Sequence, residues 1–212
     1  YTVGGYSNGI YYSDVRSYDT EKKVWRTEGN INTRRGRAGI VTDERYIYII
    51  GGRNSDGYVN TVEVFDTATG KVSQTFDLPE PMMDVQSFIS GGTLYIVGGT
   101  TYNGYSRNVY ARVDDMWKPK ATMPYESEYI RGKGYNNDFV CAAVNKKGNV
   151  DILKYVTDTK SWKIITSNYI NDLIYYGFDI MDNHIYLTGG YSYDSREVSD
   201  KTYSYDILTD IA

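Results

Sequence analysis

A pair of glycines follows an apolar, strand-like run at a fixed stride along this chain. No other feature constrains the fold as tightly. The pairs are Gly4-Gly5 after residues 1–3, Gly51-Gly52 after residues 47–50, Gly98-Gly99 after residues 94–97 and Gly189-Gly190 after residues 185–188. Their first members stand 47, 47 and 91 residues apart, so the last interval holds two strides and one degenerate copy, placed at Val144-Asn145. A stride of this size means an array of similar supersecondary units. A paired glycine at a strand end supplies positive φ or close backbone approach, so one turn is made once per unit.

Each stride carries further markers. About 13 residues after the pair comes an aromatic-Asp step, at Tyr18-Asp19, Phe65-Asp66 and Tyr205-Asp206, with Val113-Asp114 and Tyr155-Val156 as weaker copies. Trp25 and Trp162 follow Tyr18 and Tyr155 by seven residues, whereas Val72 holds that place in the second unit and Trp117 arrives early in the third. The pattern of glycine pair, aromatic-Asp and Trp resembles the kelch repeat, whose unit is one four-stranded propeller blade. The resemblance covers nearly the whole chain and implies an all-β, kelch-type β-propeller.

The residues support the same reading without the family. Short β-branched and aromatic runs such as 46–50 and 62–65 are bounded by Gly, Asn, Asp and Ser, and no stretch carries a helical period. Equivalent aromatics suit a packing seam between blades, and Trp25 and Trp162 are expected to fill the same buried station. The repeat phase divides the chain into units near 1–30, 31–78, 79–122, 123–168 and 169–212, all within a single propeller domain or segment. These units contain three, four, four, four and three strands. The first unit opens at its second strand and the last stops after its third, so the expectation is about five blades, incomplete at both ends and part of a larger ring. Open blade edges would then invite self-association.

Composition narrows the function classes. The 212 residues carry a net charge of −4 with acids and bases interspersed, which argues against a nucleic-acid footprint and against adsorption to an anionic membrane. No apolar run is long enough to insert in a bilayer. The one cysteine, Cys141, excludes an intrachain disulfide and reads as a small buried hydrophobe, so compartment is left undecided between cytoplasm and cell exterior.

Chemistry has little to stand on. Copper radical oxidases of the kelch family require two histidines and a cysteine cross-linked to tyrosine, but this chain has one histidine, His184. That residue sits at the start of an apolar strand, where the other units have Tyr46, Thr93 and Phe139. A Ser-His-Asp triad or a metal centre needs more than this. Asn54-Ser55-Asp56-Gly57 reads as a tight turn before it reads as a cation loop. The expectation is no catalytic residue, no metal and no cofactor. The family also includes a sialic acid epimerase, which keeps a sugar-processing or carbohydrate-binding propeller as the alternative.

The remaining signal is a surface. The segments after the glycine pairs combine Tyr with Ser, Asn and Gly: Tyr6 in the first unit, Arg53 and Tyr58 in the second, Tyr102 and Tyr105 in the third, Tyr191 and Tyr193 in the last. Such loops resemble antibody paratopes, in which tyrosine contributes rigid contact area and small polar residues adaptable hydrogen bonds. Arg35, sixteen residues ahead of Gly51, occupies the slot where kelch substrate adaptors often carry a ligand-binding arginine, although its counterparts are Met82 and Leu173. These eight residues form the candidate ligand-binding set. The reading is a non-enzymatic interaction module for a protein partner, with a glycan as the alternative ligand.

Overall fold

The computed structural model describes residues 1–210. The chain is all-β in a five-blade propeller arrangement, and among the described residues helix is confined to the 3-10 turn Ile207–Asp210. Sheet 1 holds Thr2–Ser7, Ile10–Asp19 and Val24–Asn30. Sheet 2 holds Gly39–Asp43, Tyr46–Ile50, Thr61–Asp66 and Lys71–Asp77, and sheet 3 holds Gln86–Ser90, Thr93–Val97, Asn108–Val113 and Met116–Thr122. Sheet 4 holds Ile130–Tyr135, Asp138–Val144, Val150–Val156 and Ser161–Ile170, and sheet 5 holds Gly177–Met181, His184–Thr188 and Thr202–Asp206. Within each sheet the strands are neighbours in chain order, with the three-four-four-four-three strand count of the repeat reading. No helix among the described residues is long and apolar enough to cross a membrane.

The chain divides into two compact units. One comprises Tyr1–Val85, Gly99–Gly104 and Arg112–Lys118; the other comprises Gln86–Gly98, Tyr105–Ala111 and Pro119–Ala212. The first has a core of Val15, Ile31, Ile47, Ile49 and Phe65. In the second, Phe139, Cys141, Leu153 and Tyr155 pack on Phe88, Val97, Val109 and Met123, while Val140, Ala142 and Ile152 pack on Leu173, Tyr176 and Ile185. The second strand of sheet 4 is therefore buried on both faces, which is why its sequence is a continuous apolar run and not an alternation. Cys141 lies fully inside it, and burial pushes its thiol well above the ordinary range.

The repeat markers have separate physical roles. Gly51 and Gly52 adopt φ of 59° and 105°, and the other three pairs repeat these left-handed values closely. Gly52 donates its N–H to Met82 O at 2.8 Å, and Gly5 donates to Arg35 O at the same distance. A side chain on Gly4 would meet that Arg35 carbonyl at 2.5 Å, so the turn has neither the conformation nor the room for one. The aspartate after the aromatic caps the turn that follows its strand: Asp19 accepts from the N–H groups of Glu21 and Lys22 at 3.1 and 2.9 Å, Asp66 from Ala68 at 2.9 Å and Asp206 from Leu208 at 2.8 Å. Sheet 4 lacks that aspartate, and Asp138 substitutes for it by accepting from Thr157 N–H at 2.9 Å.

The seven-residue offset to Trp is a hairpin register. Tyr18 lies opposite Trp25, Phe65 opposite Val72 and Tyr155 opposite Trp162. The expectation that both tryptophans are buried is corrected here. Trp162 is partly buried against Phe139 and Tyr155, whereas Trp25 contacts Tyr18 and remains 56% exposed. In sheet 4 this aromatic face is covered by sheet 3 residues of the same compact unit, but no described element covers it in sheet 1.

Candidate interaction surface

Arg35 requires the main correction to the candidate set. Its side chain is 1% exposed and all of its donor groups are used within the fold. Nε donates to Thr33 O at 3.1 Å, one terminal nitrogen donates to Gly51 O and Thr61 O at 2.9 and 2.8 Å, and the other bonds Thr61 Oγ1 at 2.7 Å and the buried Glu63 carboxylate. Glu63 also accepts from the N–H groups of Asn32 and Thr33 at 2.6 and 3.0 Å. Burial lowers the Arg35 pKa, and the Glu63 charge opposes that shift. The group is a structural ion pair that links the backbone at residues 32–33 to that at Gly51 and Thr61. Met82 and Leu173, at the same offset, are buried too.

Two residues further on, the chain reaches the surface. Arg37, Asp84 and Tyr175 each stand fourteen residues ahead of a glycine pair, and all three adopt left-handed φ of 54–56°. Arg37 Nε donates to Asp84 Oδ1 at 3.0 Å, and a terminal nitrogen pairs with the other carboxylate oxygen. The left-handed turn directs these side chains outward, unlike that of Arg35.

The loops after the glycine pairs carry tyrosines, of which Tyr6, Tyr102, Tyr105 and Tyr193 are exposed and Tyr58 and Tyr191 half-buried. In the first compact unit, Tyr6 contacts Tyr11 at 4.8 Å between ring centroids and stays mostly exposed. Arg53-Asn54 and Gly57-Tyr58 form a short hairpin whose turn is closed by Asp56 N–H donating to Asn54 Oδ1 at 2.9 Å. The turn reading of residues 54–57 therefore holds. Arg53 is exposed, and its backbone exchanges hydrogen bonds of 2.8 and 2.9 Å with Gly36. Tyr58 and Tyr102 stack at 4.4 Å with planes 16° apart, and Tyr58 donates its N–H to the Tyr102 hydroxyl at 2.8 Å. Tyr102 remains 67% exposed.

In the second compact unit, Tyr191 and Tyr193 lie edge to face at 5.9 Å. Asp172 holds their loop: it accepts from Ser192 Oγ at 2.5 Å, Tyr193 N–H at 3.0 Å and Asp194 N–H at 2.8 Å. These bonds depress the Asp172 pKa, the Ser192 hydroxyl most strongly. The Tyr193 hydroxyl is raised by the Glu128 carboxylate first, then by burial and by the Tyr175 and Tyr105 hydroxyls, with a hydrogen bond to Tyr175. Tyr175 packs edge to face on Tyr129 at 5.4 Å, and the Arg131 guanidinium sits 4.3 Å from the Tyr129 ring centre. The sequence reading selected Tyr105, Tyr191 and Tyr193 as candidates, and Tyr175 and Glu128 lay outside that set. The fourteen-residue offset could have found Tyr175.

His184 directs Nδ1 at Asp182 O, 2.9 Å away, beside the exposed turn of its own hairpin. Among the described residues no group of three or more His, Cys, Asp or Glu side chains is placed to hold a metal ion.

Comparison with known proteins fits this repeat chemistry. The Kelch motif family model matches residues 34–74, the span from Arg34 through the second glycine pair to the fourth strand of sheet 2. Kelch repeat protein C2 of vaccinia virus (strain Western Reserve) is 23% identical over 167 residues, covering 76% of this chain and 33% of the relative. Kelch repeat and BTB domain-containing protein 1 of horsepox virus is 26% identical over 222 residues, covering 96% of this chain and 38% of the relative. Kelch-like protein 40 of Xenopus tropicalis is 28% identical over 121 residues, covering 56% and 20%. The chain therefore spans well under half the length of these relatives. With the stride, glycine geometry and blade topology already in place, these matches make the chain similar to kelch-repeat proteins, whose motif its second unit carries.

Proposed function

We propose that this chain is a non-enzymatic kelch-repeat interaction module that binds a protein partner through the tyrosine-bearing loops after its glycine pairs. One observation carries the reading: these loops hold exposed tyrosines in fixed positions, as with Tyr102, stacked on the half-buried Tyr58, and the Asp172-anchored Tyr193. A rigid tyrosine contributes large amphipathic contact area while losing little side-chain entropy on binding. The kelch relatives support an interaction role, including one whose name joins kelch repeats to a BTB domain.

The test is comparative co-purification with the whole protein, using Tyr102→Ser and Tyr193→Ser beside a control, Lys22→Ser, in the hairpin turn between the second and third strands of sheet 1. A partner retained by the control and lost by both tyrosine variants supports the reading. Equal retention by all three would overturn it, as would binding confined to a glycan array.

A further inference from the structure

We propose that the face of sheet 1 bearing Tyr18 and Trp25 is a dimer interface, and that its occupant is the same face of a second copy of this chain. The surface lies on strands, apart from the tyrosine-bearing loops, and goes beyond the interaction reading above.

The first support is an aromatic pair that its counterparts bury. Tyr18 contacts Trp25 at 5.2 Å between ring centroids, and the two are 43% and 56% exposed. Phe65 and Tyr155, which hold the place of Tyr18 in sheets 2 and 4, are fully buried. Around the sheet 1 pair the residues are polar. Arg16 lies opposite both Thr2 and Thr27, two residues along the strands from Tyr18 and Trp25 and therefore on the same face, and all three are exposed. Thr2 stands two residues ahead of its glycine pair, where sheets 2, 3 and 5 have the buried Ile49, Ile96 and Leu187. An aromatic centre within a polar rim is the composition of a protein–protein interface that forms between folded chains.

The outward face of sheet 5 argues for like-to-like pairing. Directly ahead of the glycine turn, Ile50 lies opposite Val62 in sheet 2, Val97 opposite Val109 in sheet 3 and Val144 opposite Val150 in sheet 4, and all six are buried. In sheet 5 this pair is Thr188 and Thr202, exposed and joined through their hydroxyls at 3.0 Å. The next row on that face is Asp179, Tyr186 and Ser204, with Asp179 and Ser204 exposed. Such a face is matched to water and offers an aromatic pair little apolar area. A second sheet 1 face offers another Tyr18 and Trp25.

Charge is the third support. Arg16 and Asp14 form an ion pair on the sheet 1 face, and the Arg16 side chain is 54% exposed. A two-fold axis presents a face that carries one cation and one anion to its own reverse, so opposite charges can meet across it.

The experiment is sedimentation equilibrium of the whole chain from about 1 μM to about 1 mM, a range that covers weak dimers. The expected result is a monomer–dimer equilibrium that stops at the dimer, because a two-fold interface is closed. Trp25→Ser and Tyr18→Ser should each raise the dissociation constant by about tenfold, while Trp25→Phe retains most of the affinity. Thermal melts confirm that the variants are folded. Arg16→Glu should weaken the dimer, and adding Asp14→Arg to it should restore association. Ser204→Glu, on the outward face of sheet 5, should change nothing. A monomer at every concentration would overturn the proposal, as would association that survives both Trp25→Ser and Tyr18→Ser. Masses that grow beyond the dimer, or loss of association in Ser204→Glu, would also overturn it, since either result assigns the contact to a head-to-tail arrangement.

Discussion

The Arg35 guanidinium and the Glu63 carboxylate form an ion pair in which both side chains are at most 2% exposed. Glu63 also accepts from the N–H groups of Asn32 and Thr33, and Arg35 donates to the carbonyls of Thr33, Gly51 and Thr61, so the pair ties the segment ahead of sheet 2 to the sheet and satisfies backbone groups on both sides. Removing one member strands the other charge in the interior. Arg35→Met should therefore destabilise the protein by about 3–5 kcal/mol, read as the shift in a denaturant or thermal midpoint. A loss under about 1 kcal/mol would show that the buried charge is not held as described.

The two tryptophans should respond differently to truncation. Trp162 packs on Phe139 and Tyr155, so Trp162→Ala should cost about 3 kcal/mol, near the low end for a core tryptophan because the ring is only partly buried. Trp25 meets Tyr18 on an otherwise uncovered face, and Trp25→Ala should cost about 1 kcal/mol or less. Parallel thermal melts of the two variants check this, and equal losses would contradict the burial difference.

Tyr58 and Tyr102 should be coupled. Their stacked rings and the N–H to hydroxyl bond predict a coupling of about 0.5–1.5 kcal/mol in a double-mutant cycle with Tyr58→Ala and Tyr102→Ala. Additive losses would mean that the stack contributes nothing to holding the two loops.

The loop carrying Tyr193 should loosen in acid. Asp172 has a folded pKa below its ordinary value, so its contribution is present above the unfolded carboxylate pKa of about 3.9 and is lost as pH falls through the lower, folded value. Protonation weakens acceptance from Ser192 Oγ and from the N–H groups of Tyr193 and Asp194. Relative to the pH trend of core amides, exchange at Tyr193 and Asp194 should rise on acidification below about pH 4. In Asp172→Asn the two amides should be less protected at neutral pH, and the acid-specific increase should be absent.

The glycine pairs and the aspartates after the aromatics could be read directly from the sequence because their requirements are local. A left-handed φ, and a carboxylate that accepts from the N–H groups two or three residues on, are properties of a few adjacent residues. A fixed stride then repeats them, which is enough to place the turns and hence the strand count. The exposed loop tyrosines were legible for the same reason, because turn chemistry keeps such segments at the surface. What no short stretch contains is the identity of the atoms that cover it. Trp25 and Trp162 share one hairpin register, but neighbouring side chains bury only the second. Arg35 has the charge of a surface residue, yet Glu63, twenty-eight positions away, makes a buried place for it. The apolar counterparts Met82 and Leu173 carried that information, since a station buried in other repeats is expected to be buried here. Tyr175 lay hidden for the converse reason: among apolar neighbours it reads as core, and only its left-handed backbone turns the ring out to the surface, edge to face with Tyr129. Local conformational rules thus determined the repeat and its turns, while tertiary packing decided which repeated positions are interior and which are exposed.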